Sequence, residues 1–144
     1  MRAGGSSMNR VKVLLVDDHD RFRQSVASYL SEQGFVEIVG EAVNGDEAIA
    51  QTAKLHPDLV LMDVDIPKRD GFEATREIKL QRPGTKVVIL SMHGSDIYRR
   101  AAWRSAADGF IDKASLKNDL LAAIAAVQAH LGGHEFEPMR ATGS

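Results

Sequence analysis

Three aspartates, a serine and a lysine lie where short apolar runs end. VKVLLV (Val11–Val16) passes into Asp17 and Asp18, DLVLM into Asp63, KVVIL into Ser91, and DGFI through Asp112 into Lys113. If these runs are parallel strands of one sheet, their carboxyl ends share an edge, the place where ligands bind in open α/β sheets. Carboxylates held ~4 Å apart repel by about 4 kcal/mol per pair at an effective dielectric near 20, so the three acids call for a divalent cation. Hard oxygen ligands favour Mg²⁺. A lysine and a hydroxyl beside them suit the oxygens of a phosphoryl group. Asp63, alone at the end of the central run, is then the natural covalent acceptor, flanked by metal on one side and Lys113 on the other. Taken singly, each aspartate is more simply a cap or turn residue; the convergence of all five side chains carries the reading.

The elements that must position them alternate along the chain. Val11–Val16 is continuously apolar, as a strand covered on both faces should be. Phe22, Val26, Tyr29 and Leu30 recur at helical spacing between Arg21 and Gln33, with Gly34 as the expected stop. A second strand is predicted over Val36–Val39, then a helix capped by Asn44 or Asp46 that ends before Pro57. Leu59–Met62 is a third strand and Phe72–Leu80 a third helix, closing near Pro83-Gly84. Lys86–Leu90 is a fourth strand, Ser95 or Asp96 caps a fourth helix through Trp103, and Phe110-Ile111 is a fifth strand. Ser115 caps a last helix, Leu116–Leu131, stopped by Gly132-Gly133. Five strands and five helices in strict alternation predict an α/β, doubly wound five-stranded parallel sheet.

The chain has 144 residues, 44% of them hydrophobic, enough for one domain with a core. Residues 1–10 read as a flexible leader with Met8 as a plausible natural start, 11–131 as the domain, and 132–144 as a linker or tail. The net charge is −2 with no long Lys/Arg run, which argues against DNA or anionic membrane binding by this chain itself. Cysteine is absent, excluding disulfides and thiolate metal sites. No apolar run reaches the ~20 residues of a membrane span, and the leader lacks an apolar signal segment, so the cytoplasm is the expected location.

VLLVDDH, PDLVLMDVDIPKRDGFEATREI, VVILSMH and ADGFIDK stand in the order and spacing of the receiver domain of two-component response regulators, which the chain resembles from about Val11 to Val127. The details look most like the NarL/FixJ (LuxR-type) subfamily. This resemblance implies a flavodoxin-like receiver fold with strand order 2-1-3-4-5. It also implies that Asp63 is phosphorylated by a histidine kinase, with Mg²⁺ held by Asp18, Asp63 and the backbone carbonyl of Asp65 and assisted by Asp17 through water. Ser91 and Phe110 match the family's switch pair, and Lys113 its phosphate-neutralising lysine. By the same resemblance, the domain is a phosphoacceptor and not a multiple-turnover enzyme. It would act through the surface of its fourth helix, fifth strand and fifth helix on a DNA-binding domain absent from this chain. Charges of both signs on that surface allow a phosphorylation-dependent homodimer.

The sequence also departs from the family pattern. Asp65 is acidic where many members carry a neutral or basic residue, which should slow attack on an anionic phosphodonor; Lys68-Arg69 replaces a commoner Gly-Met type of pair. Ala106 replaces the glycine that usually ends the fourth helix, so that helix is expected to end differently, given the roughly 1 kcal/mol cost of alanine in the left-handed region. Two other classes compete. MDVD has the Asp-x-Asp spacing of haloacid-dehalogenase-like phosphatases, with Asp65 as general acid, but the order of the acids and the absence of room for a cap oppose it. A receiver-like interaction module that is never phosphorylated is opposed by the complete set of site residues.

Overall fold

The computed structural model describes residues 10–65 and 70–133; the start at Met8, the Lys68-Arg69 pair and the tail from His134 lie outside the described residues. Five strands, β1 (Val11–Val16), β2 (Val36–Ala42), β3 (Leu59–Asp63), β4 (Lys86–Ser91) and β5 (Gly109–Asp112), form one parallel sheet in the order β2-β1-β3-β4-β5. The helices are α1 (Asp20–Ser31), α2 (Gly45–Leu55), α3 (Gly71–Gln81), α4 (Asp96–Arg104) and α5 (Leu116–Leu131), with a 3₁₀ turn over Lys113–Ser115. The order reverses direction between β1 and β3, which opens a crevice at their carboxyl ends.

Strand alternation sorts the core into two layers. Val13, Leu15, Leu59, Leu61, Val88, Leu90 and Ile111 face α1 and α5, meeting Val26, Leu30, Leu120 and Ile124. Their neighbours Leu14, Val16, Val60, Met62, Val87, Ile89 and Phe110 face α2, α3 and α4, meeting Ala48, Ala74, Ile78 and Ala102. Period-2 side-chain direction gives this division directly. Leu61 and Ile89 are at most 1% exposed, so truncating either to alanine should cost about 2–5 kcal/mol. The same parity reaches the strand ends: Asp17, Asp63 and Lys113 continue the α1/α5 series, whereas Ser91 and Phe110 belong to the opposite one.

Several local signals act as the sequence predicts. Asn44 Oδ1 accepts the Glu47 amide at 2.8 Å, capping α2 as predicted; Asp70, which sequence reasoning did not single out, caps α3 by accepting the Glu73 amide at 2.8 Å. His56 ends α2 in the left-handed region (φ 51°), and Gly133 follows α5 at φ 104°. Others differ. α1 stops at Ser31, and Gly34 is not left-handed; the Gln33 amide instead closes onto the Leu30 carbonyl (2.9 Å) and the Gln33 side chain onto that of Tyr29 (3.1 Å). These bonds satisfy terminal carbonyls without a glycine. β2 runs on to Ala42 because the register slips after Val13, which pairs with Ile38 while Leu14 pairs with Gly40. Ser95 and Ser115 hold the cap positions of α4 and α5 without capping them by a side-chain bond. The Ser115 hydroxyl lies 3.0 Å from an Asp119 carboxylate oxygen instead.

The expectation that Ala106 would change how the fourth helix ends is not met. Ala106 takes the left-handed conformation itself, at φ 70°. Its amide bonds the Trp103 carbonyl and the Ala107 amide bonds that of Ala102, both at 3.0 Å. This is the Schellman closure usually supplied by glycine. Buried Ala102 and Ala107 at its two ends hold the alanine in place.

Candidate functional site

The carboxyl ends of β1 and β3 bring Asp17, Asp18 and Asp63 together, and the turn after β5 adds Lys113. One donor atom each from Asp17, Asp18, His19 and Asp63 lies within 4.8 Å of the others. Asp17 is 3% exposed and Asp63 fully buried. The Lys113 ammonium stands 3.4 Å from an oxygen of each. Phe22 of α1 covers that ammonium, its ring centroid 4.4 Å from Nζ, a cation–π contact that fixes the lysine over the acids.

The two oxygens of Asp63 have unlike surroundings. Oδ1 accepts the Asp65 amide at 3.0 Å, a turn closed by an aspartate on the chain two residues ahead. Oδ2 is buried and makes no hydrogen bond, Lys113 being close but not aligned to donate. Burial pushes the carboxyl up to about 6 from its ordinary 3.8, against the opposing pull of the Asp65 amide and of Lys113; Asp17 and Asp65 push it further up. A buried oxygen without a donor is costly, and a divalent cation beside it would remove both the deficit and the repulsion. The donor set therefore fits a hard cation. Gly71 allows the geometry: a Cβ there would lie 2.6 Å from the Asp63 carbonyl oxygen and from Val64 Cα, so any side chain would push α3 away from the turn at Asp63.

The β1–α1 turn is held by residues that sequence reasoning left out. Arg23 is 12% exposed; its Nη1 donates to the Asp17 carbonyl and its Nη2 to Asp20 Oδ1, both at 2.7 Å, and its Nε donates to Glu41. Glu41, 18 residues away on β2, is too distant in sequence for a local pattern to show the pair. His19 turns its ring back onto the acids, with Nδ1 3.3 Å from Asp17 Oδ1 and 3.1 Å from Asp18 Oδ1. Its position directly after two aspartates was the available signal.

Ser91 and Phe110 reach the same edge but do not join the acids. Ser91 is fully buried, its hydroxyl accepting the His93 amide at 2.9 Å and donating to the His93 carbonyl at 3.3 Å. Phe110 is 1% exposed beneath Arg99, whose guanidinium carbon lies 4.8 Å from the ring centroid. Asp65 points its carboxylate to solvent, and the exposed His93 ring packs on Tyr98, centroids 4.9 Å apart. Among the described residues no helix is long and apolar enough to cross a membrane.

Known proteins place this architecture. Residues 13–125 match the response regulator receiver domain model. The chain is 41% identical over 130 residues to the response regulator protein VraR of Staphylococcus epidermidis, covering 89% of this chain and 60% of that protein, and 40% identical over the same length to VraR of Staphylococcus aureus. It thus spans about 60% of the length of these relatives. Among solved structures, a LuxR-family two-component response regulator from Aurantimonas superposes with a TM-score of 0.79 at 30% identity, covering 84% of this chain and 86% of that one. The signal receiver domain of the putative response regulator NarL from Mycobacterium tuberculosis superposes at 0.76 and 30% identity, covering 87% and 98%. The RcsB receiver domain of Salmonella enterica, solved in the presence of phosphomimetic BeF₃⁻, superposes at 0.77 and 25% identity, covering 90% and 94%. With its motifs, its strand order and its acidic edge, the chain belongs to the response regulator receiver domain family and is a receiver of the LuxR (NarL/FixJ) type.

Proposed function

We propose that Asp63 accepts a phosphoryl group from the phosphohistidine of a histidine kinase. The observation that carries this reading is the buried Asp63 Oδ2, free of hydrogen bonds and faced by Lys113 at 3.4 Å. With its carboxyl near 6, Asp63 is mostly ionised at neutral pH and available as a nucleophile. Its oxygen forms the new bond to phosphorus as the phosphorus–nitrogen bond of the donor breaks, and the departing imidazole takes up a proton. Lys113 neutralises one phosphoryl oxygen, and Ser91 donates to another once its hydroxyl leaves the His93 carbonyl. Asp18, Asp63 and the backbone carbonyl of Asp65 would hold Mg²⁺, with Asp17 acting through water. Bound there, the ion supplies charge neutralisation at the transferring group.

The amide of Asp65, not its carboxylate, engages Asp63, which supports a turn role for the Asp-x-Asp spacing over the nucleophile-and-acid pair of a turnover phosphatase. The domain is therefore read as a phosphoacceptor and not as an enzyme on external substrates. Phosphorylation would bias the α4–β5–α5 surface, acting in the cytoplasm on a DNA-binding domain outside this sequence and through a phosphorylation-dependent homodimer. RcsB solved with a phosphate mimic supports the phosphorylation step, and relatives longer than the region matched here are consistent with an output outside it.

Intact mass after incubation with Mg²⁺ and a small phosphodonor tests the central step. One added phosphoryl group, labile to hydroxylamine and absent from Asp63→Asn, is expected. Addition that maps to a serine, threonine or histidine, or that needs no divalent ion, would overturn it.

A further inference from the structure

We propose that the recess between α1 and α5 is a binding site for a small one-ring aromatic carboxylate, and that its occupancy is felt through Phe22 at Lys113. Phe22, Val26 and Tyr29 repeat at helical spacing along α1, and Leu116 and Leu120 along α5, so each helix turns an apolar stripe toward the same hollow. One turn further on, Leu30 and Ile124 are fully buried in a shared core cluster. Nearer the carboxyl edge the helices leave about 360 Å³ open to solvent. Its floor, Val26 and Leu120, is at most 5% exposed, whereas its walls, Phe22, Tyr29 and Leu116, are only half-buried.

The recess also carries polar groups that the fold does not use. The Ser25 hydroxyl, the Tyr29 phenol and the Lys117 ammonium line it, and none of the three bonds or ion-pairs with another described residue. A mostly apolar hollow with a few convergent polar groups has the form of a small-molecule site. Two rings in the lining favour a ring in the occupant, through offset or edge-to-face contact. Lys117 is the only charged residue of the lining, so the occupant's complementary charge is negative. A carboxylate can accept from the ammonium with one oxygen and from a hydroxyl with the other. Phe22 gives the recess its consequence. Its ring centroid lies 4.4 Å from the Lys113 ammonium, which stands over Asp17 and Asp63, so an occupant packed on Phe22 disturbs the seat of that lysine.

The experiment titrates phenylacetate into the 144-residue chain at neutral pH and low salt. Methyl resonances of Val26, Leu116 and Leu120 report the recess, side-chain resonances of Lys113 report the link, and Leu131 at the far end of α5 serves as reference. A saturable shift of the recess methyls with a dissociation constant of ~1 mM, the scale of so small a ligand, is expected together with a shift at Lys113. Lys117→Glu should weaken binding about fivefold, as should replacing phenylacetate by phenethylamine, which keeps the ring and reverses the charge. Ser25→Trp should abolish binding by filling the hollow. Both substitutions lie at exposed positions, and thermal unfolding checks that the variants fold. No saturation by ~10 mM, equal affinity for phenethylamine, or unchanged affinity in Lys117→Glu would overturn the site. A saturated recess with Lys113 unmoved would overturn the link. In sedimentation, a wild-type dimer that Ser25→Trp dissolves would assign the recess to a second copy of the chain and overturn the small-molecule occupant. None of these readings depends on phosphorylation of Asp63.

Discussion

Aspartates stand at both edges of the sheet, and their surroundings give them opposite lots. At the amino edge, Asp58 Oδ2 accepts the Lys12 amide at 2.9 Å, and Asp108 Oδ2 accepts the Val87 amide at 2.8 Å and the Lys79 ammonium at 2.9 Å. Lys79 is held in turn by the carbonyls of Pro83 (3.0 Å) and Thr85 (2.8 Å). There the carboxylates close strand starts and are repaid with donors. At the carboxyl edge, Asp63 is buried with one amide on one oxygen and nothing bonded to the other. The same residue type is thus fully satisfied at one edge and left a donor short at the other; the donors it finds decide which.

The comparison breaks most clearly by removing one acid from each edge. Asp108→Ala should destabilise the domain by roughly 3 kcal/mol, because it leaves the Val87 amide without its acceptor and a largely buried ammonium without its only carboxylate partner among the described residues. Denaturant unfolding measures it, and a loss below about 1 kcal/mol would make the amino-edge network ornamental.

Asp63→Asn should act with the opposite sign. The folded carboxyl lies near 6, above its ordinary 3.8, so the native state binds the extra proton between those values. Its favourable contribution is present below about pH 4 and is lost as pH rises through about 6. The variant should therefore be more stable than wild type by roughly 2–3 kcal/mol above about pH 7, at about 1.4 kcal/mol per pH unit, and no more stable below about pH 4. Saturating Mg²⁺ should stabilise wild type more than the variant and narrow the gap at neutral pH. A pH-independent difference would remove the buried charge as its cause.

Arg23→Gln sharpens the comparison within the carboxyl edge. Losing the bonds to the Asp17 carbonyl, Asp20 and Glu41 should cost about 1–2 kcal/mol and weaken Mg²⁺ binding as the Asp17-Asp18 turn loosens. Unchanged metal affinity would confine Arg23 to a structural role. The smallest effect is expected at the turn that leads into the amino edge: Ala106→Gly relieves a left-handed alanine and should stabilise by about 1 kcal/mol, raising Tm by roughly 4 °C.

The strands and the acidic edge were legible because each strand is a short apolar run ended by a polar residue. Asp17, Asp63 and Lys113 could be placed together from those ends and the sheet order alone. Ser91 and Phe110 were placed at the right edge, but the local bonds of Ser91 to His93 depend on a loop conformation that no periodicity encodes. Cap signals divided the same way. Asn44 and Asp70 cap as their types suggest, whereas Ser95 and Ser115 do not, since a hydroxyl is free to choose another partner. Arg23 and Glu41 escaped notice because their meaning lies in a pairing across two elements.

The hydroxyl of Ser91 is tied only to the residue two places ahead, through the amide and carbonyl of His93. Freeing it breaks no hydrogen bond between elements among the described residues and requires little more than rotation of one small, buried side chain. α4 offers similarly little resistance, with Ala102 its single buried residue, but its displacement is a collective motion on the microsecond-to-millisecond scale. A displacement of α4 would therefore pace any movement it shares with Ser91, the serine being the faster partner.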